Sequence, residues 1–360
     1  MMGVGSMERK TKLINFNELR PGMVIAKNVE QGRQILLKKD FAITNSAIQK
    51  LKRTLFLDRI EVYDDMVTNE DKIERKKIKE YEKIDENFKE ISTRLQRTFR
   101  LITNPTGSTL NELKEFSERI QNEMRPSSMI IKNIVLQGSG EDSIYRHGVN
   151  VAALSALIGK WIGMEPKDIN RLIYSAILHD FGKTKIDKEI LKKNGALTTS
   201  EFEVIKTHTT LEYKMLKDVS YLDKSVLYGV VMHHEREDGS GYPLGLKGEA
   251  IHQFGKIIAI ADVFDAINSN RGYKKKKPPF EALQIVKNES LGKLNYEYSK
   301  VFIEHIVNYY LGEEAILNSG ERCKIIQMNV NNLEKPLILK KNEFIELTKE
   351  KNLYIEELVL

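Results

Sequence analysis

The chain reads as a mainly α protein with a small α+β module at its N-terminal end and a short β appendage at its C-terminal end. Three observations carry that reading. Apolar residues recur at spacings of three and four over residues 142–311, a densely charged stretch of helical spacing precedes them from Asn69, and short β-prone runs between turn residues are confined to the two flanks. A length of 360 residues with 41% hydrophobic content corresponds to roughly two domains at about 150 residues each, enough to bury more than one core.

Residues 13–66 make the first module. Residues 13–16, 23–26 (after the Arg20-Pro21-Gly22 turn), 34–37 and 60–63 are β-prone, and Ser46 opens a helix with Ile48, Leu51 and Leu55 on one face. It contains no histidine, and residues 13–64 hold no paired acids, which makes it a regulatory module, a place for a regulatory protein to bind, rather than a second active site. Residues 67–130 are a helical connector. Ile73, Ile78, Tyr81, Ile84, Phe88, Ile91, Leu95 and Phe99 form its apolar stripe, which either packs on neighbouring elements or joins two copies as a homodimer. The cluster 104–108 ends that helix, and another follows over 110–124. Residues 131–311 form an all-α domain, with apolar helical faces at Val149, Ala152, Ala153, Ala156 and Leu157, at Ile169, Leu172, Ile173, Ala176 and Ile177, and at Ile257, Ile260, Ala261 and Phe264. Residues 312–360 are the β appendage, with β-prone stretches at 324–330, 337–339 and 344–347.

Composition excludes some functions. Lys and Arg number 57 against 51 Asp and Glu, a net charge of +6 that admits an anionic ligand but is too modest to argue for duplex nucleic acid. The single cysteine, Cys323, can form no intramolecular disulfide, and the charged start lacks an apolar signal region, so a cytoplasmic protein is expected. No apolar run approaches the roughly 20 residues of a membrane span.

The chemistry lies between positions 147 and 262. Six of the seven histidines fall there, and five of them, His147, His179, His208, His233 and His234, form a ladder with Asp180 and Asp262. Imidazole and carboxylate hold hard-to-borderline divalent cations, and seven such groups exceed the needs of one ion, so two ions sharing a bridging Asp are expected. Adjacent helical residues point about 100° apart, which leaves Asp180 free to bridge while His179 faces one ion. Such a pair supplies an activated water and charge stabilisation for phosphate ester hydrolysis, and the ligand types suit Fe, Mn or Zn. The other two histidines have structural readings, His252 as a loop or capping residue and His305 on an amphipathic helix.

The segment AILHDFGK at 176–183 resembles the HD superfamily of metal-dependent phosphohydrolases. HHEREDGSGYP at 233–243 is similar to the HHExxDGxGYP signature of the HD-GYP subfamily at every fixed position, and IADVFDA at 260–266, followed by Ser269 and Arg271, resembles the next motif. The resemblance spans about residues 140–310 and implies an all-α HD-GYP fold that hydrolyses cyclic di-GMP to linear pGpG, with GMP as a further product. It implies His147, His179, Asp180, His208, His233, His234 and Asp262 as metal ligands. Lys183 is implied as a catalytic lysine near the substrate phosphate, and Asp238, Gly241, Tyr242, Pro243, Arg271 and Lys274 as substrate contacts. Two positions depart from the family. Ser143 stands where three-metal members place a glutamate, which favours two ions and leaves His234 the most open of the ligands, and Gly272 replaces a common proline. Rival readings are hydrolysis of 3′,3′-cyclic GMP-AMP, since the motif handles the diphosphate ring and not the bases, and a sensor that binds cyclic di-GMP without turnover.

Overall fold

The computed structural model describes residues 11–15, 18–31, 34–44, 47–48, 59–63, 69–101, 107–123, 126–140, 144–193, 195–220, 222–269, 277–329 and 331–359. Ser143, Arg271, Gly272, Lys274 and most of the helix expected from Ser46 lie outside the described residues. The chain divides into two compact units, Met1–Lys83 and Ile84–Leu360.

In the first unit, β1 (Thr11–Asn15) runs antiparallel to β4 (Arg59–Tyr63), with Thr11 opposite Tyr63, and β2 (Val29–Gln31) pairs with β3 (Gln34–Leu37). The β-prone residues 23–26 make only the bridges Val24–Ala42 and Ile25–Val62. Ile14, Ile25, Val29, Ile43, Ile60 and Val62 form the core. Alternation explains β4, where Ile60 and Val62 point inward and the residues between them do not.

The first and longest helix of the connector is α1 (Asn69–Leu101). From Ile84 onward its stripe faces inward: Ile84, Phe88, Ile91 and Leu95 are at most 1% exposed and Phe99 is 3% exposed. Packing within the chain is thus how these residues are used, each burial contributing about 1.5–3 kcal/mol. Glu115 of α2 (Gly107–Glu118) takes Arg94 of α1 in a forked ion pair, and Glu90 takes Arg119 just beyond α2. Phe99 meets Phe181 edge-on at 4.7 Å, and the Arg146 guanidinium lies 4.6 Å above the Phe88 ring. Both contacts fall on residues next to candidate metal ligands, His147 and Asp180.

The remaining helices are α3 (Ser127–Gln137), α4 (Ile144–Trp161), α5 (Pro166–Leu178), the short α6 (Lys188–Leu191), α7 (Thr199–Lys206), α8 (His208–Leu216), α9 (Lys224–Met232), α10 (Gln253–Asn268), α11 (Pro279–Glu289) and α12 (Tyr296–Tyr310). Their starts are written in the sequence. Pro166 occupies the first turn of α5, Thr198 and Glu201 close a capping box on α7, and the Asp223 and Asn295 side chains accept the free N–H groups of α9 and α12. His252 caps α10 by accepting from Phe254 N–H at 3.1 Å, and His305 stacks on Trp161 with centroids 4.4 Å apart, so both non-cluster histidines are structural as expected.

The appendage is a five-stranded antiparallel sheet in the order β8-β7-β6-β5-β9, built from β5 (Glu314–Leu317), β6 (Arg322–Gln327), β7 (Leu337–Lys340), β8 (Glu343–Glu346) and β9 (Ile355–Leu358). Three of these five strands correspond to the expected β stretches. β5 and β9, with the sequences EAIL and IEEL, carry few β-branched residues and are strands because they pair with each other. Among the described residues, no helix is long and apolar enough to cross a membrane.

Candidate metal centre and substrate cavity

The seven predicted ligands converge although they come from five helices and the turns between them. They fall into two groups of donor atoms, each within 4.8 Å: Asp180, His208, His233 and His234 in one, His147, His179 and Asp262 in the other. Six of the seven side chains are buried and His234 is partly so.

Helix ends place three of the imidazoles. The last carbonyls of a helix have no partner within it, and a histidine just beyond can donate to one. His179 Nδ1 lies 2.7 Å from Ala176 O, His208 Nδ1 2.7 Å from Ile205 O, and His233 Nδ1 2.6 Å from Val230 O. Each bond puts the proton on Nδ1 and leaves the Nε2 lone pair for a cation. His147 is held differently, since it lies inside α4. Its Nδ1 is 2.7 Å from Asp265 Oδ2, while Asp265 also accepts from Asn150 Nδ2 at 2.7 Å and from the Ser139 hydroxyl.

Asp180 lies between the groups. Its Oδ2 is 3.6 Å from His147 Nε2 and 3.7 Å from His179 Nε2, while its Oδ1 is 3.6 Å from His208 Nε2. His147 Nε2 is 3.1 Å from Asp262 Oδ1, and His208 Nε2 is 3.4 Å from His233 Nε2. Two donors on one tetrahedral ion at about 2.0–2.2 Å stand roughly 3.4 Å apart, so these separations are those of donors around shared cations. His147 Nε2, His179 Nε2 and Asp180 Oδ1 are buried without an aligned hydrogen bond, the condition a cation would relieve. The donor set therefore fits divalent metal.

Electrostatics agree for four of the five rings. Burial lowers the pKa of His179, His233 and His234, and burial with the Lys183 charge lowers that of His208 to about 4, so these rings are neutral and able to ligate. Burial also pulls on His147, but Asp262 and Asp265 outweigh it and raise the ring to about 9. Although burial opposes it, Lys183 with the neighbouring histidines holds Asp180 well below the usual carboxylate range, and His147 does the same for Asp262. Lys183 Nζ approaches Asp180 Oδ2 to 2.7 Å.

Gly182 does not end α5, which stops at Leu178; it lies in the following 3-10 turn, Phe181–Lys185. Its role is close approach, since a Cβ there would be 2.2 Å from His208 O. Glu212 of α8 packs on the same turn: it is fully buried, Oε1 accepts Gly182 N–H at 2.6 Å, and Oε2 has no hydrogen-bond partner among the described residues.

The GYP loop folds back over the two adjacent histidines. Glu235 is its anchor, accepting Leu244 N–H at 2.7 Å on Oε1 and Leu246 N–H at 2.9 Å on Oε2. Tyr242 N–H donates to His234 O at 3.2 Å, and its ring stacks on His234 with centroids 4.6 Å apart. Burial pushes the Tyr242 phenol up, so it remains a neutral donor. Beside this loop opens a cavity of about 360 Å³ bordered by His234, Gly241 and Tyr242 together with residues absent from the sequence reading, among them Phe202, Lys206 and Glu289. Of the expected substrate contacts, Gly241 and Tyr242 line it. Asp238 is exposed and accepts both the N–H and the hydroxyl of Ser240, and neither it nor Pro243 borders the cavity.

Sequence reasoning also missed Asp265, Glu212 and Lys206. Asp265 had a signal in the second Asp of IADVFDA; the other two sit at ordinary helical positions.

Residues 119–295 match the family described as HD domain, and with the HHEREDGSGYP signature in place this part of the chain is an HD domain of the HD-GYP type. A cyclic di-GMP phosphodiesterase from Thermotoga maritima is 41% identical over 164 residues, 44% of this chain and 43% of that protein. One from Pseudomonas aeruginosa is 30% identical, covering 57% of this chain and 50% of its own length, and a 3′3′-cGAMP-specific phosphodiesterase from Vibrio cholerae is 34% identical, covering 52% and 43%. The chain thus spans half or less of the length of these relatives. Among solved structures, a HDG"Y"P protein from Bdellovibrio bacteriovorus superimposes with a TM-score of 0.50 at 18% identity, covering 82% of this chain and 99% of that one, which speaks for the fold.

Proposed function

We propose that this chain is a metal-dependent cyclic dinucleotide phosphodiesterase acting in the cytoplasm, with cyclic di-GMP as substrate and linear pGpG, then GMP, as products. The observation that carries the reading is Asp180, whose two oxygens face different groups of buried imidazoles beside an open cavity. His147, His179 and Asp262 would hold one divalent ion, His208, His233 and His234 the other, and Asp180 would bridge them. Two such ions, Fe, Mn or Zn, supply an activated nucleophile and a positive field on the phosphate.

The chain's own residues do the rest. The three carbonyl-anchored imidazoles and the Asp265-anchored His147 keep the donors in place, so little reorganisation accompanies the reaction. Lys183 is a cation held beside Asp180, able to neutralise a non-bridging phosphate oxygen or to give a proton to the leaving 3′ oxygen. Tyr242, neutral and in the cavity wall, offers a hydroxyl donor. Arg271 and Lys274 retain their proposed roles as substrate contacts, Arg271 at the phosphate.

The Vibrio cholerae relative favours one rival, hydrolysis of 3′,3′-cyclic GMP-AMP by the same centre. Anaerobic purification, elemental analysis and chromatographic assay of both dinucleotides test the reading. About two metals per chain and loss of cyclic di-GMP are expected; a metal-loaded chain that binds the dinucleotide and leaves it intact would make it a sensor instead.

A further inference from the structure

The cavity beside the GYP loop is cationic, with Lys206, Arg236 and Lys293 in its wall, yet Glu289 is there as well. That acid is out of keeping with its surroundings. It ends α11, where the helix dipole disfavours negative charge, and its carboxylate has no hydrogen-bond or ion-pair partner among the described residues. An unpaired anion in a cavity for a dianionic ligand weakens binding unless it accepts hydrogen bonds from that ligand. The wall that carries it is fixed to the GYP loop, because Lys293 N–H donates to Glu289 O and Lys293 O accepts from Glu237 N–H, both at 2.9 Å.

Phe202 is the second unexplained feature. It is 44% exposed, on α7, and lines the same cavity. One turn along, Lys206 Nζ lies 5.0 Å from the Phe202 ring centroid and 5.7 Å from that of Tyr242, so a cation stands between two aromatic rings. A partly exposed aromatic ring suits a nucleotide, which can stack its base there, while Lys206, paired with Glu203 Oε1 at 2.6 Å, adds positive charge beside it.

We propose that Phe202 and Glu289 form a guanine-reading subsite, Phe202 stacking on the purine and the Glu289 carboxylate accepting from guanine N1–H and the 2-amino group. Adenine presents an acceptor at N1 and has no 2-amino group, so a carboxylate there meets a lone pair and loses both bonds. The inference rests on the cyclic dinucleotide reading above and adds to it the choice of base.

The test is equilibrium binding of hydrolysis-resistant phosphorothioate analogues of cyclic di-GMP and cyclic di-AMP to the metal-loaded full chain. Wild type should favour the guanine analogue by about tenfold or more, the scale of a lost charged hydrogen bond. Phe202→Ala should weaken both analogues by about tenfold and keep their ratio, since stacking tolerates either base. Glu289→Gln should shift the ratio toward adenine, because an amide offers the donor and acceptor that adenine matches. Three results overturn the subsite: equal binding of both analogues by wild type, Glu289→Gln tightening both alike as expected of an acid that merely repels phosphate, or Phe202→Ala changing neither. Hydrolysis of cyclic di-GMP alongside any of these leaves the phosphodiesterase reading standing, whereas failure of wild type to bind either analogue removes both.

Discussion

His179, His208 and His233 are held by their own helices, and His147 is held by a remote one. The first three lean on carbonyls three residues earlier, so their orientation is set as soon as α5, α7 and α9 form. His147 leans on Asp265, 118 positions away, and is oriented only when α4 and α10 dock. The two arrangements give the same result, an Nε2 aimed at a cation, with different dependence on tertiary packing. Local anchoring makes a ligand robust to changes elsewhere, and remote anchoring ties it to the whole fold. The connector reinforces this on the remote side, since Asp85 and Phe88 of α1 contact Arg146, the neighbour of His147.

Removing what the two groups share should have the largest effect. Asp180→Ala takes away the carboxylate that faces both, so metal content should fall to half or less and turnover should vanish; normal metal occupancy and activity in that variant would sink the bridging assignment. A smaller change separates the groups. Asp265→Asn keeps size and an acceptor but loses the charge that holds His147, so we expect weaker metal retention and a fall in kcat of about 10- to 100-fold, the usual scale for a partner of a ligand histidine. Titrating the variant with chelator while counting ions should show one ion lost early and the other at the wild-type concentration. Simultaneous loss of both would mean that the two kinds of anchoring do not differ in consequence.

The same distinction explains what could be read from the sequence. His179 and His233 follow apolar helical runs directly, so both the helix and the ligand at its end were legible in one stretch of residues. The capping residues Thr198, Asp223 and Asn295 are similarly local. Asp265 was visible only as a letter in a motif, because its partner is set by packing. Phe202 and Glu289 were invisible for the same reason: nothing near either in sequence marks the cavity that α7, the GYP loop and the end of α11 enclose. In the appendage, β5 and β9 escaped notice because each is a strand by virtue of the other. The inward stripe of α1 was legible as a stripe, but periodicity does not say which surface it meets.

Glu212 should give the smallest effect and tests a third kind of restraint, a buried acid supporting the turn that carries Asp180. Its Oε1 accepts Gly182 N–H, and burial, then the nearby Asp180 charge, holds its pKa well above the usual carboxyl range. The folded chain therefore keeps Glu212 protonated where the unfolded chain, with a carboxyl pKa of about 4.3, has it ionised. A group whose folded pKa is raised contributes stability that is fully present below the unfolded value and is lost as pH rises toward the folded one. Glu212→Gln retains an oxygen for Gly182 N–H and cannot ionise, so it escapes that loss. In chelator-treated protein, the urea midpoint of the Gln variant should match or slightly trail wild type near pH 4 and move ahead of it as pH rises to 8. Glu212→Ala should show the same trend with pH but lie lower by about 1–3 kcal/mol throughout, because it leaves the buried Gly182 N–H unpaired. A constant margin between the Gln variant and wild type across that range would show that Glu212 ionises in the folded chain as it does in the unfolded one, and would overturn the buried-acid reading.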